Sequence, residues 1–138
     1  MIVYLDSSVL LRVVLRQHDA LKEWGRVTRG IGSALVEVEC LRTLDRLRLA
    51  ERHGDDIVAQ RREAVYRLID AMEIIEIGHA VLARASQPLP TALGTLDAIH
   101  LATALLWNER AGVDLSMATH DAALGMAARA SGLPVLGL

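Results

Sequence analysis

Short apolar, β-branched runs alternate with longer stretches of helical period along this whole sequence, and that alternation narrows the architecture more than any other feature. Ile2 to Leu5 is the first such run and reads as a buried strand ending at Asp6. Ser7 or Ser8 is expected to cap a helix over residues 9–16. A second short helix is predicted at residues 20–27, then a turn and short strand at 30–33, with Ser33 as the next N-cap. Residues 35–50 place Leu35, Val38, Leu41, Leu44 and Leu47 at every third position, close enough to helical period to line one drifting face. Gly54 breaks that helix and Asp55 starts another, running to about residue 72. Ile74, Ile75 and Ile77 read as a strand closed by Gly78, followed by a helix at 79–86. Pro88 and Pro90 mark the one clear loop, up to Gly94. A long helix from Thr95 or Leu96 to about residue 110, a strand at 115–119, a helix at 122–131 ended by Gly132 and a last strand at 134–136 complete the chain. Pro134 puts that last strand at an edge. The alternation implies one α/β domain over residues 1–138, a three-layer sandwich with a central parallel sheet flanked by helices.

Composition restricts what such a domain can do. With 138 residues, 52% of them hydrophobic, the chain can close a single core without disulfides. Only 3% of residues are aromatic and none is Phe, so the core is aliphatic and a platform of stacked aromatics for nucleic-acid bases is not available. Trp24 and Trp107 are expected in the core or an interface. The formal net charge is −2, so any binding of nucleic acid must use a local basic patch. Lys22 is the only lysine, and Cys40 the only cysteine, which excludes an intrachain disulfide and a cysteine-rich zinc site. The first residues lack a basic leader and a cleavage site, and Asp6 and Arg12 interrupt their apolar run. A soluble, cytoplasmic protein without membrane association is the expectation.

Chemistry enters through the acids. In an open parallel sheet, ligands bind at the carboxyl ends of the strands. Asp6 follows the first strand, Asp121 lies just past the strand at 115–119, and Asp97 falls in the first turn of the long helix. Glu37 and Glu39 lie near the start of an earlier helix, about 200° apart around it, so only one of them can face a given site. Each acid has a plain structural reading: Asp97 complements a helix dipole, Asp121 caps a helix, and one of the glutamates is solvated. Asp6 is the hardest to explain that way, because a carboxylate at the end of a buried strand is costly unless paired or metal-bound. Two carboxylates about 4 Å apart repel by roughly 4 kcal/mol at an effective dielectric of 20. Four gathered together need protons or a cation, and an all-oxygen set suits Mg²⁺ or Mn²⁺.

Four segments carry a resemblance. YLDSSVLLR, GSALVEVECLRTLDR, LGTLDAIHLATAL and ATHDAALGMAARASGLPVL, in that order, are similar to the four blocks of VapC-type toxins in the PIN-domain family of ribonucleases. The resemblance spans essentially the whole chain; no block is specific alone. It implies a PIN-like fold and an acidic quartet of Asp6, Glu39, Asp97 and Asp121 that is catalytic and holds Mg²⁺ or Mn²⁺. Glu37 stands as the alternative to Glu39, and Ser7 and Thr119 as supporting hydroxyls. It further implies an RNA substrate, a VapB-type antitoxin partner and a homodimer.

Arg12, Arg16, Arg42 and Arg46 are the candidates to hold the RNA backbone, with partner contact or plain solvation as the other readings. His100, one turn after Asp97, is expected to brace its helix more than to act as acid or base. His120 should point away from the acids. A catalytically silent protein of the same fold that only binds an antitoxin is disfavoured by the four filled acidic positions. A phospho-acceptor receiver domain would want a lysine near the late strands, where there is none. A dinucleotide enzyme would want a GxGxxG after a strand.

Overall fold

The computed structural model describes residues 1–138. Five strands, β1 (Ile2–Leu5), β2 (Arg29–Ser33), β3 (Glu73–Ile75), β4 (Leu115–Ala118) and β5 (Val135–Leu136), form one sheet in the order β3-β2-β1-β4-β5. Every pairing is parallel. The helices are α1 (Ser7–Val14), α2 (Leu35–Glu51), α3 (Asp55–Asp70), α4 (His79–Ala85), α5 (Thr95–Ala111) and α6 (Ala122–Ala130). The chain therefore folds as the α/β sandwich that the alternation implies.

Two cores lie on the two faces of the sheet. Val3 and Leu5 of β1 point to the face covered by α1, α2 and α3, through Val9, Leu10, Val36, Cys40, Leu44 and Val65. Tyr4 and Ile31 point to the other face, with Leu101, Ala104 and Trp107 of α5 and Leu124, Ala127 and Ala128 of α6. Neighbouring β1 residues thus serve opposite layers, as strand geometry requires. Helices change face between α3 and α5, and the strand order reverses at β1 and β4, so the carboxyl ends of these two strands form the crevice where such sheets place ligands. No helix is long and apolar enough to cross a membrane.

Several local expectations are corrected. The N-cap of α1 is Asp6, whose Oδ1 accepts from the Ser7 amide at 2.8 Å, so neither serine caps and the helix begins two residues early. A carboxylate placed at a helix start competes well for the orphan amides there. The expected helix at 20–27 shrinks to one 3₁₀ turn, Trp24–Arg26. Ser33 closes β2, and its hydroxyl still accepts from the Leu35 amide at 3.2 Å.

Of the stripe of every third residue in α2 only Leu44 is buried, in a four-residue series with Val36 and Cys40, while Val38 is 52% exposed. Steps of four residues drift by only about 40° around a helix and steps of three by about 60°. The four-residue set therefore stays on the core longer. Gly112, with φ of 62°, ends α5 in a left-handed conformation that side chains other than glycine adopt at a cost.

Candidate active site

Asp6 sits where β1 turns into α1 and is 5% exposed. Its partners are all neutral donors. The Ser8 hydroxyl donates to Oδ2 at 2.6 Å, the Thr119 hydroxyl donates to the same oxygen at 2.9 Å, and the Ser7 hydroxyl reaches Oδ1 at 3.5 Å. Ser8 and Thr119 also latch the neighbouring loop: the His120 amide donates to Ser8 Oγ at 3.0 Å and the Asp121 amide to Thr119 Oγ1 at 3.0 Å. The ends of β1 and β4 are thus locked together through one carboxylate. Asp121 is the N-cap of α6, its Oδ1 accepting from the Leu124 amide at 2.9 Å, and the residue is otherwise exposed. The capping reading of Asp121 is therefore correct as far as it goes, and leaves Oδ2 without a bond to the protein.

Asp97 lies in the first turn of α5 and is half-buried. Its carboxyl is held above the ordinary aspartate range, first by burial and then by the negative charges of Asp121, Asp6 and Glu39, which together outweigh His100. The four acids therefore share one electrostatic field. They do not stand in one tight cluster: no three carboxylate, imidazole or thiol side chains are close enough to ligate one ion directly. The pair at the start of α2 separates as its geometry demands, with Glu37 exposed and Glu39 half-buried.

Glu39 turns toward His100, whose Nε2 stands 2.6 Å from Glu39 Oε1 and 3.7 Å from Asp6 Oδ1. His100 is 0% exposed, and its other nitrogen, Nδ1, meets the Tyr4 hydroxyl at 2.9 Å. Burial acts to lower the imidazole pKa, but the hydrogen bond to Glu39 and the charges of Asp6, Glu39 and Asp97 leave it raised. His100 does more than brace its helix, and Tyr4 and Ser8 join the site without having stood out as site residues. The available signal was polarity inside apolar pattern: a phenol in a buried strand and an imidazole on a helix whose neighbours are Ile, Leu and Ala. His120 does turn away, Nδ1 donating to the Gly137 carbonyl at 2.6 Å.

The four arginines divide. Arg42 and Arg46 line a groove with Ser7, Val38, Thr43, Leu96 and one of the four acids, Glu39. Arg12 points elsewhere, paired with Asp19 at 2.5 Å, and Arg16 lies beyond the far end of α1. A helix of eight residues spans about 12 Å, which carries its last turn well away from Asp6. A cavity of about 650 Å³ between α4 and α5 has no ionisable side chain in its lining, unlike the groove that holds Glu39, Arg42 and Arg46.

Comparison with known proteins identifies the family. Ribonuclease VapC46 of Mycobacterium tuberculosis is 34% identical over 97% of this chain and 95% of its own length. Ribonuclease VapC35 of the same species is 33% identical over the same shares. Among solved structures, VapBC2 from Rickettsia felis bound to a promoter DNA fragment superposes with a TM-score of 0.67 at 13% identity, covering 98% of this chain and 97% of the other. A toxin–antitoxin complex from Klebsiella pneumoniae gives 0.63 at 17% identity, covering 86% of each chain. At such identities the structures speak for the fold alone. Residues 3–129 match the PIN domain model, a span that holds all four acids and every strand but the last, and on that match the chain belongs to the PIN domain family.

Proposed function

We propose that this protein is a divalent-metal-dependent endoribonuclease, the toxin of a toxin–antitoxin pair. One observation carries the reading: at the switch point of the sheet, Asp6, Glu39, Asp97 and Asp121 share one field with no arginine or lysine bonded to any of them, and Asp97 is raised first by burial and then by the other three. The relatives named ribonucleases, aligned over nearly their full lengths, supply the substrate class.

The donor set fits Mg²⁺ or Mn²⁺. It is all oxygen, and Mg²⁺ keeps several of its waters, so it suits carboxylates that share a field without standing at direct ligating distance. Such an ion, when bound, lowers the pKa of a coordinated water and neutralises charge on the phosphate under attack. The chain's own residues supply the rest. Asp6, fixed by Ser8 and Thr119, presents a rigid carboxylate; Ser7 stands at its edge. Asp97, Asp121 and Glu39 add charge from three other elements. Arg42 and Arg46 sit where an RNA backbone would pass the acids, Arg42 already shared with Asp45 at 3.3 Å. Arg12, paired with Asp19, and Arg16, past the end of α1, are not in the lining of that groove.

An antitoxin of VapB type is the proposed protein partner, since the two superposed structures are toxin–antitoxin complexes by their descriptions. A cytoplasmic homodimer completes the reading. The test is cleavage of a mixed single-stranded RNA by the purified protein. Addition of Mg²⁺ or Mn²⁺ should start it, a chelator should stop it, Glu39→Gln should abolish it and Glu37→Gln should leave most of it. Cleavage that ignores the chelator, or that survives Glu39→Gln and fails with Glu37→Gln, would overturn the assignment.

A further inference from the structure

The buried chain of polar contacts from Tyr4 through His100 to Glu39 crosses the molecule. Tyr4 lies in β1, two residues before Asp6; His100 lies on α5, one turn after Asp97; Glu39 lies on α2, in the opposite helical layer. The three side chains meet over the end of the sheet with separations of 2.9 Å and 2.6 Å. We propose that His100 is a positioning residue: Nε2–H holds the Glu39 carboxylate beside Asp6, and the Tyr4 hydroxyl holds the ring. The inference rests on the metal-dependent reading above.

Three observations support it. First, Nε2 is the only nitrogen that can serve Glu39, and it carries a proton in the charged ring and in the neutral tautomer that accepts from Tyr4, so the contact holds in either state. Second, Tyr4 and His100 are both 0% exposed, and their rings meet edge to face at 78° with centroids 6.0 Å apart, so the imidazole cannot swing to another partner. Third, Glu39 needs holding. A free glutamate loses rotamer freedom when fixed, and the Glu39 side chain is 21% exposed at the rim of an open groove. Without His100 that carboxylate can turn outward, as Glu37 does. Buried partners that orient a ligand in this way typically change metal affinity by about 10- to 100-fold when lost.

The experiment measures Mn²⁺ binding directly, from the paramagnetic resonance signal of the free ion, without RNA. In His100→Gln the amide nitrogen takes the place of Nε2 and keeps the donor to Glu39. In His100→Asn the amide ends near the place of Nδ1, keeps a partner for Tyr4 and falls short of Glu39. Binding within about threefold of wild type is expected for Gln, and weaker by about 10-fold or more for Asn. In a Glu39→Gln background, His100→Asn should cause no further loss.

Wild-type affinity in His100→Asn, equal losses in Asn and Gln, or a full loss that persists without Glu39 would each overturn the inference. If His100→Asn does not fold, Tyr4→Phe carries the test: weakened binding supports the inference and unchanged binding overturns it. Wild-type protein that binds no Mn²⁺ overturns the metal reading and this inference with it, whereas wild-type binding beside an unaffected His100→Asn overturns this inference alone.

Discussion

Helix α5 runs between two carboxylates that are treated in opposite ways. At its start, Asp97 is pushed above the ordinary aspartate range, first by burial and then by the charges of Asp121, Asp6 and Glu39. Near its other end, Trp107 donates from Nε1 to Glu73 at 3.0 Å. Arg29 bonds the second oxygen of that glutamate at 2.5 Å while lying over the Trp107 ring, 5.2 Å from its centroid. Glu73 is held below the usual glutamate range, first by the Trp107 hydrogen bond and then by Arg29. One end of the molecule thus completes its carboxylate with an indole and a guanidinium, whereas the other gathers carboxylates and provides no bonded arginine or lysine. A fold under selection for stability alone has no reason to build the second arrangement. The contrast separates a carboxylate that the chain itself neutralises from carboxylates that it leaves without a bonded arginine or lysine.

The largest expected effect breaks the contrast directly. Asp97→Asn should lower RNA cleavage by about two to three orders of magnitude, the scale of losing one preorganised electrostatic group at a reacting centre, while Glu73→Gln should leave it within about twofold of wild type. Equal loss in the two variants, with both folded, would erase the distinction. A thermal melt gives the next effect. At about 100 times its Kd, Mn²⁺ should stabilise the protein by about 2.7 kcal/mol, roughly 5–10 °C for a domain of this size. Glu73→Gln should keep that rise and Asp97→Asn should shrink it.

Smaller, but opposite in sign at the two ends, is the dependence of metal-free stability on pH. Because the Asp97 carboxyl is raised in the folded state, its contribution is present at low pH and lost as pH climbs through the raised value. Asp97→Asn should therefore melt higher than wild type at neutral pH, by something on the order of 1–3 °C, and the gain should vanish in acid. Glu73 behaves in reverse: lowered in the folded state, it stabilises above the ordinary glutamate range and ceases to as pH falls through its folded value. Glu73→Gln should melt lower than wild type at neutral pH, and the gap should close in acid. Shifts of the same sign in chelator would show that the two ends are not electrostatically distinct.

The smallest effect concerns the groove. In an Asp97→Asn background that binds RNA without turnover, Arg42→Ala and Arg46→Ala should each flatten the salt dependence of binding by about 0.7 in log–log slope. Arg12→Ala should leave it unchanged. A result in which Arg12 matters and Arg42 does not would place the RNA on the far side of α1.

Strand and helix order, the parallel sheet and the long helices were legible in the sequence, because each rests on local periodicity, whereas the acidic quartet came from the family resemblance. The ordered blocks around Asp6, Glu39, Asp97 and Asp121 carry the family resemblance in sequence alone, and the chain does belong to that family. Tertiary structure alone decided which face of α2 is buried, since steps of three and four both satisfy a helical period until a neighbouring layer selects one. It decided that Arg42 and Arg46 border Glu39 while Arg12 turns to Asp19. It also brought His100 to Glu39. The imidazole meets Glu39 across 61 residues of sequence, and the pattern around it reads the same whether it braces a helix or orients a carboxylate. Periodicity records which way a side chain faces within its own element, but what it meets there depends on how distant elements pack.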